Sequence, residues 1–255
     1  MCSKQKECTL KSENAVCVVT GGVGGLGRAI CDYFLERKAR VIVADRDAEA
    51  LQNLPDSFCC EAVDVCDPVR VKAMVQKIVK EQGRIDILVN CAGTIVSAPF
   101  VNVFSPDQMM FPYERFRQEM AINLDSVFIV TAAVVEEMVR RRTPGCIINI
   151  SSICAHGNAG QTSYAAAKAG VNAMTVTWAK ELGRMGIRCN AVAPGFIGTP
   201  STHAALQDAH LKHIVENTPL RRLGDAKEVA QAVYALVEND FCNGVILDVN
   251  GGLTL

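Results

Sequence analysis

The chain has 255 residues, 49% hydrophobic and 21% charged, with 26 basic against 27 acidic side chains and a formal net charge of −1. That balance leaves no excess cation to follow a phosphate backbone and no long run of like charge, which excludes nucleic acid as the main partner. No uncharged apolar stretch reaches the roughly 18 residues of a membrane span, and the composition is too apolar for disorder, so a globular protein without membrane contact is expected.

In chain order, residues 1–14 form a polar extension without the apolar core of a signal peptide. Short β-branched runs then alternate with longer helical patterns. The runs are Ala15–Thr20, Arg40–Asp45, Ser57–Val63, Ile85–Asn90, Cys146–Ser151, Ile187–Ala193 and Val245–Val249. Between them lie helical patterns at Gly25–Lys38, Pro68–Gln82, about Tyr113–Arg142, about Gln161–Met185 and near Ala226–Glu238. Runs without clean alternation suit strands buried on both faces, with the helices as crossovers. The expected fold is α/β: a Rossmann-type, doubly wound parallel sheet of about seven strands with helices on both faces, in one domain over 1–255. The twelve cysteines include no Cys-x-x-Cys pair, and Cys17, Cys91, Cys146 and Cys189 lie in apolar runs, where free cysteine behaves as a small hydrophobe. Reduced thiols and a cytoplasmic location are expected. No carboxylate–histidine set has metal-ligand spacing, so no metal is expected.

The first run leads into Thr20-Gly21-Gly22-Val23-Gly24-Gly25-Leu26-Gly27, which opens the first helix. A pyrophosphate must approach main-chain N–H groups closely at a helix N-terminus, where β-carbons obstruct it. Gly21 allows the tight turn, Gly25 the contact with phosphate and Gly27 close helix–strand packing. The next strand ends in Asp45, 18 residues after Gly27, near the distance at which an acid binds the adenosine ribose hydroxyls. A carboxylate there accepts from a free 2′-hydroxyl and repels a 2′-phosphate. With Gly24 where an NADP enzyme often places a cation, and Asp45 standing before Arg46, the expected cofactor is NAD.

Tyr164 and Lys168 are four residues apart on one helical face, thirteen residues and more beyond Ser151 at a strand end. A phenol titrates near ~10 in water, too high for a base at neutral pH. A neighbouring ammonium and the oxidised nicotinamide are expected to favour phenolate and lower that value.

With these motifs in order, the chain resembles the short-chain dehydrogenase/reductase family over essentially its whole length. The matching elements are Thr20-Gly21-x-x-x-Gly25-x-Gly27, Asp64-Val65, Asn90-Cys91-Ala92-Gly93, Asn123, Ser151, Tyr164-x-x-x-Lys168 and Pro194-Gly195. Gly160–Gly170 is especially similar to the 3-oxoacyl-carrier-protein reductase branch and its hydroxysteroid and hydroxyacyl dehydrogenase relatives. Cys91 departs from the family, which usually has a second asparagine there. The resemblance implies that Tyr164 is the acid/base and that Ser151 binds the substrate oxygen. It gives Lys168 the roles of lowering the phenol pKa and binding the nicotinamide ribose, while Asn123 holds a water of a proton relay. It further implies a cofactor lining of Gly21, Gly24, Gly25, Leu26, Gly27, Asp45, Arg46, Asp64, Val65, Asn90, Ala92, Gly93, Pro194, Gly195, Ile197 and Thr199, beside Tyr164 and Lys168.

Substrate is expected beyond the carboxyl ends of the strands, among the loops Thr94–Pro112, Ser152–Ser163 and Gly195–Thr218. The first is longer than in the reductase branch and rich in proline and apolar residues. It reads equally as a substrate cover and as a surface packed on another subunit. Ile153 and His156 are expected, with Ser151 and Tyr164, to line the substrate. His203, His210 and His213 are expected to face solvent. The activity expected is NAD-dependent interconversion of a secondary alcohol and a ketone, on a lipophilic substrate such as a hydroxysteroid. A 3-oxoacyl thioester reductase or 3-hydroxyacyl dehydrogenase is the alternative, disfavoured by the absence of a basic patch beyond Lys212, Arg221 and Arg222. A non-catalytic NAD-binding sensor is a remote one. By resemblance the chain forms a homotetramer through the helices around Asn123 and Tyr164.

Overall fold

The computed structural model describes residues 12–205 and 208–255; most of the extension at 1–14 and the side chain of His203 lie outside the described part. The last residues of the extension are pinned to the body. The Ser12 amide donates to Glu238 at 3.1 Å, and its hydroxyl bonds the Tyr234 hydroxyl at 2.9 Å.

Strands β1 (Val16–Thr20), β2 (Arg40–Asp45), β3 (Cys59–Ala62), β4 (Ile87–Asn90), β5 (Gly145–Ile150), β6 (Ile187–Pro194) and β7 (Ile246–Val249) form one sheet in the order β3-β2-β1-β4-β5-β6-β7. All six pairings are parallel, so the doubly wound sheet is as expected. Every residue of β1, β4 and β5 is buried, which is why these runs show no alternation.

The helices are α1 (Gly25–Leu35), α2 (Ala48–Gln52), α3 (Pro68–Gln82), α4 (Tyr113–Met120), α5 (Ser126–Arg141), α6 (Thr162–Leu182), α7 (Pro200–Ala205), α8 (Asp208–Asn217) and α9 (Ala226–Glu238). On one face Ile30 and Phe34 of α1 and Val229, Val233 and Val237 of α9 pack with Val19, Val43 and Ile148. On the other, Val71, Val75 and Ile78 of α3 and Val130, Val134 and Met138 of α5 pack with Val18, Ile42, Leu88 and Ile147. The ends of α3 are set locally: Asp67 accepts from the Val69 and Arg70 amides, Pro68 opens the helix, and Gly83 closes it at φ 84°.

Two expectations are corrected and a third is given shape. The helix anticipated over Tyr113–Arg142 is interrupted by a π-helical segment, Ala121–Asp125. Asn123 Nδ2 donates to the Glu119 carbonyl at 3.0 Å and the Ser126 hydroxyl to the Ile122 carbonyl at 2.7 Å, so side chains satisfy carbonyls at the widened turn. The segment 195–218 carries α7 and α8 instead of an open loop. The segment 94–112 folds back on itself as an arm. Val101 bridges Met110 antiparallel, the Asn102 amide donates to Met109 at 2.6 Å, and the Phe111 amide donates to Phe100 at 2.9 Å.

The order of strands reverses at β1, whose neighbours β2 and β4 lead away in opposite directions, so a crevice opens beyond Thr20 and Asn90. Thr20 spans it, its hydroxyl accepting from the Cys91 and Ala92 amides at 3.1 and 3.2 Å.

Candidate active site

The glycine turn occupies this crevice. Gly21 stands at φ +67°, and a Cβ there would lie 2.7 Å from the Ala92 Cα. A Cβ on Gly27 would fall 2.1 Å from the Gly21 carbonyl oxygen, so α1 and the turn touch backbone to backbone. Gly24 and Gly25 are exposed, Gly24 caps α1 without a side-chain bond, and no acid occupies the first turn. The amides of an 11-residue helix thus face an open crevice, a fit for a dinucleotide pyrophosphate. Thr199 lies over the turn, 3.0 Å from where a Gly25 Cβ would stand. It is positioned by β6 through Pro194, Gly195 and Ile197, whose chain pairs with Gly224. Leu26 packs from α1 into the core.

Asp45 ends β2 beside the turn, its carboxylate accepting from the Val23 amide at 3.2 Å and the Asp47 amide at 3.1 Å. Arg46 and Asp64 are exposed, and Val65 is buried. Asn90 ends β4 at the crevice with its side chain turned into the protein. Its amide donates to Thr131 and Asn149 at 2.9 and 2.8 Å, and Asn149 donates onward to Thr175 at 2.8 Å, so the side chain ties the sheet to α5 and α6.

Beyond β5 the two adjacent serines part company. Side chains alternate along a strand, so Ser151 follows Asn149 toward α6, where its hydroxyl reaches the Lys168 carbonyl at 3.5 Å. Ser152 opens the short 3-10 turn Ile153–His156 and accepts from the Cys154 amide at 3.1 Å, and its hydroxyl favours ionisation of the Tyr164 phenol. Ser151 and Ser152 thus stand side by side at the end of β5, and Ser152 joins the expected Ser151 as a candidate to bind the substrate oxygen.

Tyr164 lies in the first turn of α6, 7% exposed, packed with Ile153, Cys154 and Leu253. Burial pushes its phenol above the ordinary value, and Ser152 opposes that shift. The Lys168 ammonium lies 5.6 Å from the ring centroid and donates to the Ile150 carbonyl at 2.7 Å, and without the cofactor's charge burial dominates the phenol. Lys168 is itself buried and held down to about 8, in part offset by Cys91. Both groups thus carry protons at neutral pH.

Asn123 is fully buried in the π segment, and its Oδ1 accepts from the Thr94 amide at 3.0 Å. A Cβ on Gly93 would come within 2.8 Å of that oxygen and 3.8 Å of Lys168 Nζ, so only a glycine-sized space separates the two groups. Ile153 is buried against Tyr164, whereas His156, at the end of the same turn, is exposed. The base of the arm is stitched to the segment entering α6: the Ala98 amide donates to Gly160 at 2.8 Å and Gln161 to the Ser97 hydroxyl at 3.1 Å. Its tip presents Phe100, Val101, Val103, Phe104, Met109 and Met110 to solvent.

A parallel doubly wound sheet, a glycine turn at its switch point and a Ser–Tyr–Lys cluster at the carboxyl end of β5 define a dinucleotide-dependent oxidoreductase. The chain belongs to the short-chain dehydrogenase/reductase family; the family model described as enoyl-(acyl carrier protein) reductase matches residues 22–254. It is 38% identical to the 3-oxoacyl-[acyl-carrier-protein] reductase FabG of Thermotoga maritima over 96% of this chain and 100% of that one. It is 35% identical to the (3R)-3-hydroxyacyl-CoA dehydrogenase of Canis lupus familiaris over 96% of this chain and 98% of that one. The crystal structure of gox2181 superposes with a TM-score of 0.85 at 31% identity, covering 96% of each chain. The family binds a nicotinamide cofactor and acts on CH–OH groups. The relatives' names match the acyl thioester alternative and not the hydroxysteroid expectation.

Proposed function

We propose that the protein interconverts 3-oxoacyl and 3-hydroxyacyl thioesters with NAD(H), and that the thioester is one of coenzyme A. The observation that carries the chemistry is Tyr164 and Lys168 on one face of α6, the ammonium 5.6 Å from the phenol ring, beside the serines that end β5. The relatives named as 3-oxoacyl reductases and a 3-hydroxyacyl-CoA dehydrogenase supply the substrate class. An acidic carrier protein needs free cations to dock. Arg222 is paired with Glu228 at 2.6 Å, Lys212 stands 3.9 Å from Glu216, and Arg221 bonds the Glu216 carbonyl. Those pairings count against a carrier-docking patch at these residues, and the relative named as a 3-hydroxyacyl-CoA dehydrogenase supports coenzyme A. For the cofactor, the Asp45 carboxylate at the glycine turn favours NAD over a 2′-phosphate.

The cofactor, when bound, supplies or accepts the hydride. Ser152 donates to the substrate carbonyl oxygen and stabilises the charge that develops on it. Tyr164, neutral because burial holds its proton, gives that proton to the same oxygen in reduction and takes it back in oxidation. Lys168 keeps a positive charge beside the phenol as it ionises, and Asn123 Oδ1 lies across the Gly93 gap to orient a water toward the ammonium. The arm, fixed at its base to the Gly160–Gln161 segment, offers its apolar side chains to the acyl chain.

Self-association is supported by the apolar outer faces of α5 and α6, where Phe128, 56% exposed, leans on Trp178 with ring centroids 6.5 Å apart. We read the assembly as a homotetramer, to be measured by light scattering. The ten described free cysteines, five of them buried, fit a reducing compartment such as the cytoplasm. The activity is tested by following NADH and NADPH absorbance with acetoacetyl-CoA, longer 3-oxoacyl-CoA esters, acyl-carrier thioesters and ketosteroids. Turnover of the CoA esters with NADH, lost in Tyr164→Phe while NADH still binds, is the expected result. Turnover of ketosteroids alone, or full activity of Tyr164→Phe, would overturn it.

A further inference from the structure

Glu119 is a buried acid that this chemistry does not use. It is the one buried residue of α4, with 2% of its surface exposed. Taking a carboxylate out of water is costly, and a helix that needed only an apolar contact would do better with leucine at that place. One carboxylate oxygen accepts from the hydroxyl of Ser163, itself 1% exposed and the residue immediately before Tyr164. The other oxygen, Oε1, has no hydrogen-bond partner among the described residues. The main-chain carbonyl of Glu119 accepts from Asn123 Nδ2 at 3.0 Å. A single residue thus grips the neighbour of the phenol with its side chain and the relay amide with its backbone.

The place of this grip matters. Immediately after α4 the hydrogen-bond ladder widens into the π segment Ala121–Asp125, an interruption of the helix of the kind frequent at functional sites. Tyr164 and the serines at the end of β5 sit on different elements. Their meeting therefore depends on where the first turn of α6 is fixed.

We propose that Glu119 is a positioning residue whose carboxylate, through Ser163, fixes the Tyr164-bearing turn of α6 and holds the carbonyl that orients Asn123. The inference rests on the reading of Tyr164 as the acid/base. It is tested with Glu119→Leu, Glu119→Gln, Ser163→Ala and the double variant Glu119→Leu/Ser163→Ala, assayed with acetoacetyl-CoA and NADH, alongside thermal unfolding and hydrogen exchange of residues 162–168.

Glu119→Leu is expected to keep or raise the unfolding temperature while kcat falls about tenfold or more, because small misplacements of reacting groups are costly. KM and NADH affinity should stay within about twofold, since uniform binding is untouched. Glu119→Gln, which still accepts from Ser163, should keep most of kcat. Ser163→Ala should resemble Glu119→Leu, and the double variant should lose no more, as two halves of one contact. Unchanged kcat in Glu119→Leu, additive losses in the double variant, or kcat and unfolding temperature falling together in all variants would overturn the proposal. If the unaltered protein turns over no 3-oxoacyl thioester, the functional reading fails instead, and exchange decides the inference. Faster exchange of 162–168 in Glu119→Leu and Ser163→Ala than in Glu119→Gln supports it, and equal rates overturn it.

Discussion

The Ser151 hydroxyl reaches the Lys168 carbonyl at 3.5 Å, while the hydroxyl of Ser152, one residue on, accepts from the Cys154 amide and favours ionisation of Tyr164. Adjacent residues of an extended chain face opposite ways, so the same chemical group in neighbouring positions has two different fates. One serine is placed to bind a carbonyl oxygen. The other ties β5 to α6.

Lys168 sets the pH dependence. Burial holds its ammonium down to about 8, and it loses its charge as pH rises past that value, removing the positive neighbour of the phenol. The phenol itself is pushed upward and keeps its proton through this range. For reduction, kcat/KM is expected to be flat below about pH 8 and to decline by up to about tenfold per pH unit above it, as it reports the free enzyme's ionisations. A flat profile to pH 10 contradicts this role. Stability moves the other way. Between about 8 in the fold and ~10.4 in the unfolded chain the unfolded state binds the extra proton, so stability rises with pH across that window.

Asp45 sets the cofactor preference. Asp45→Asn removes the charge that repels a 2′-phosphate and keeps one oxygen, enough to accept from either the Val23 or the Asp47 amide, each of which now has its own carboxylate oxygen. NADPH efficiency relative to NADH is expected to rise by about ten- to a hundredfold, the scale of one charged hydrogen bond. An unchanged ratio from steady-state kinetics refutes the assignment.

Gly27 is a packing requirement. A Cβ there would stand 2.1 Å from the Gly21 oxygen and 2.9 Å from the Gly22 Cα, both backbone atoms that cannot swing aside. Gly27→Ala is expected to destabilise the fold by about 1–3 kcal/mol, as overpacking does, and to weaken cofactor binding as the turn moves. Denaturant unfolding and NADH titration measure both, and an unchanged midpoint argues against the contact.

The arm is tested by shortening its tip. Replacing Val103–Gln108 with a two-residue turn retains the Val101–Met110 bridge while removing Phe104, which is 92% exposed. KM for long 3-oxoacyl-CoA esters is expected to rise severalfold, with acetoacetyl-CoA and NADH affinity unchanged. An altered oligomeric state with unchanged KM would assign the arm to subunit packing.

The sheet was legible because buried parallel strands leave continuous apolar runs, and α3 was legible to its ends because Asp67, Pro68 and Gly83 mark them locally. The glycine turn and Asp45 follow from backbone demands that few residues meet. What stayed hidden depends on direction or on distant partners. The choice between Ser151 and Ser152 needs the strand's facing, and the buried role of Asn90 needs Thr131 and Asn149. A glutamate in a polar helix gives no sign that Ser163, 44 positions on, will draw it inside. The π segment adds one residue to a turn without altering the helical pattern around it.

The most direct measurement compares Ser152→Ala and Ser151→Ala in the acetoacetyl-CoA and NADH assay. Ser152→Ala is expected to lose about a hundredfold or more in kcat, the usual cost of an oxyanion donor, with NADH affinity retained, while Ser151→Ala stays within severalfold of the parent. Loss of turnover in Ser151→Ala with Ser152→Ala fully active would contradict the account of the reacting centre.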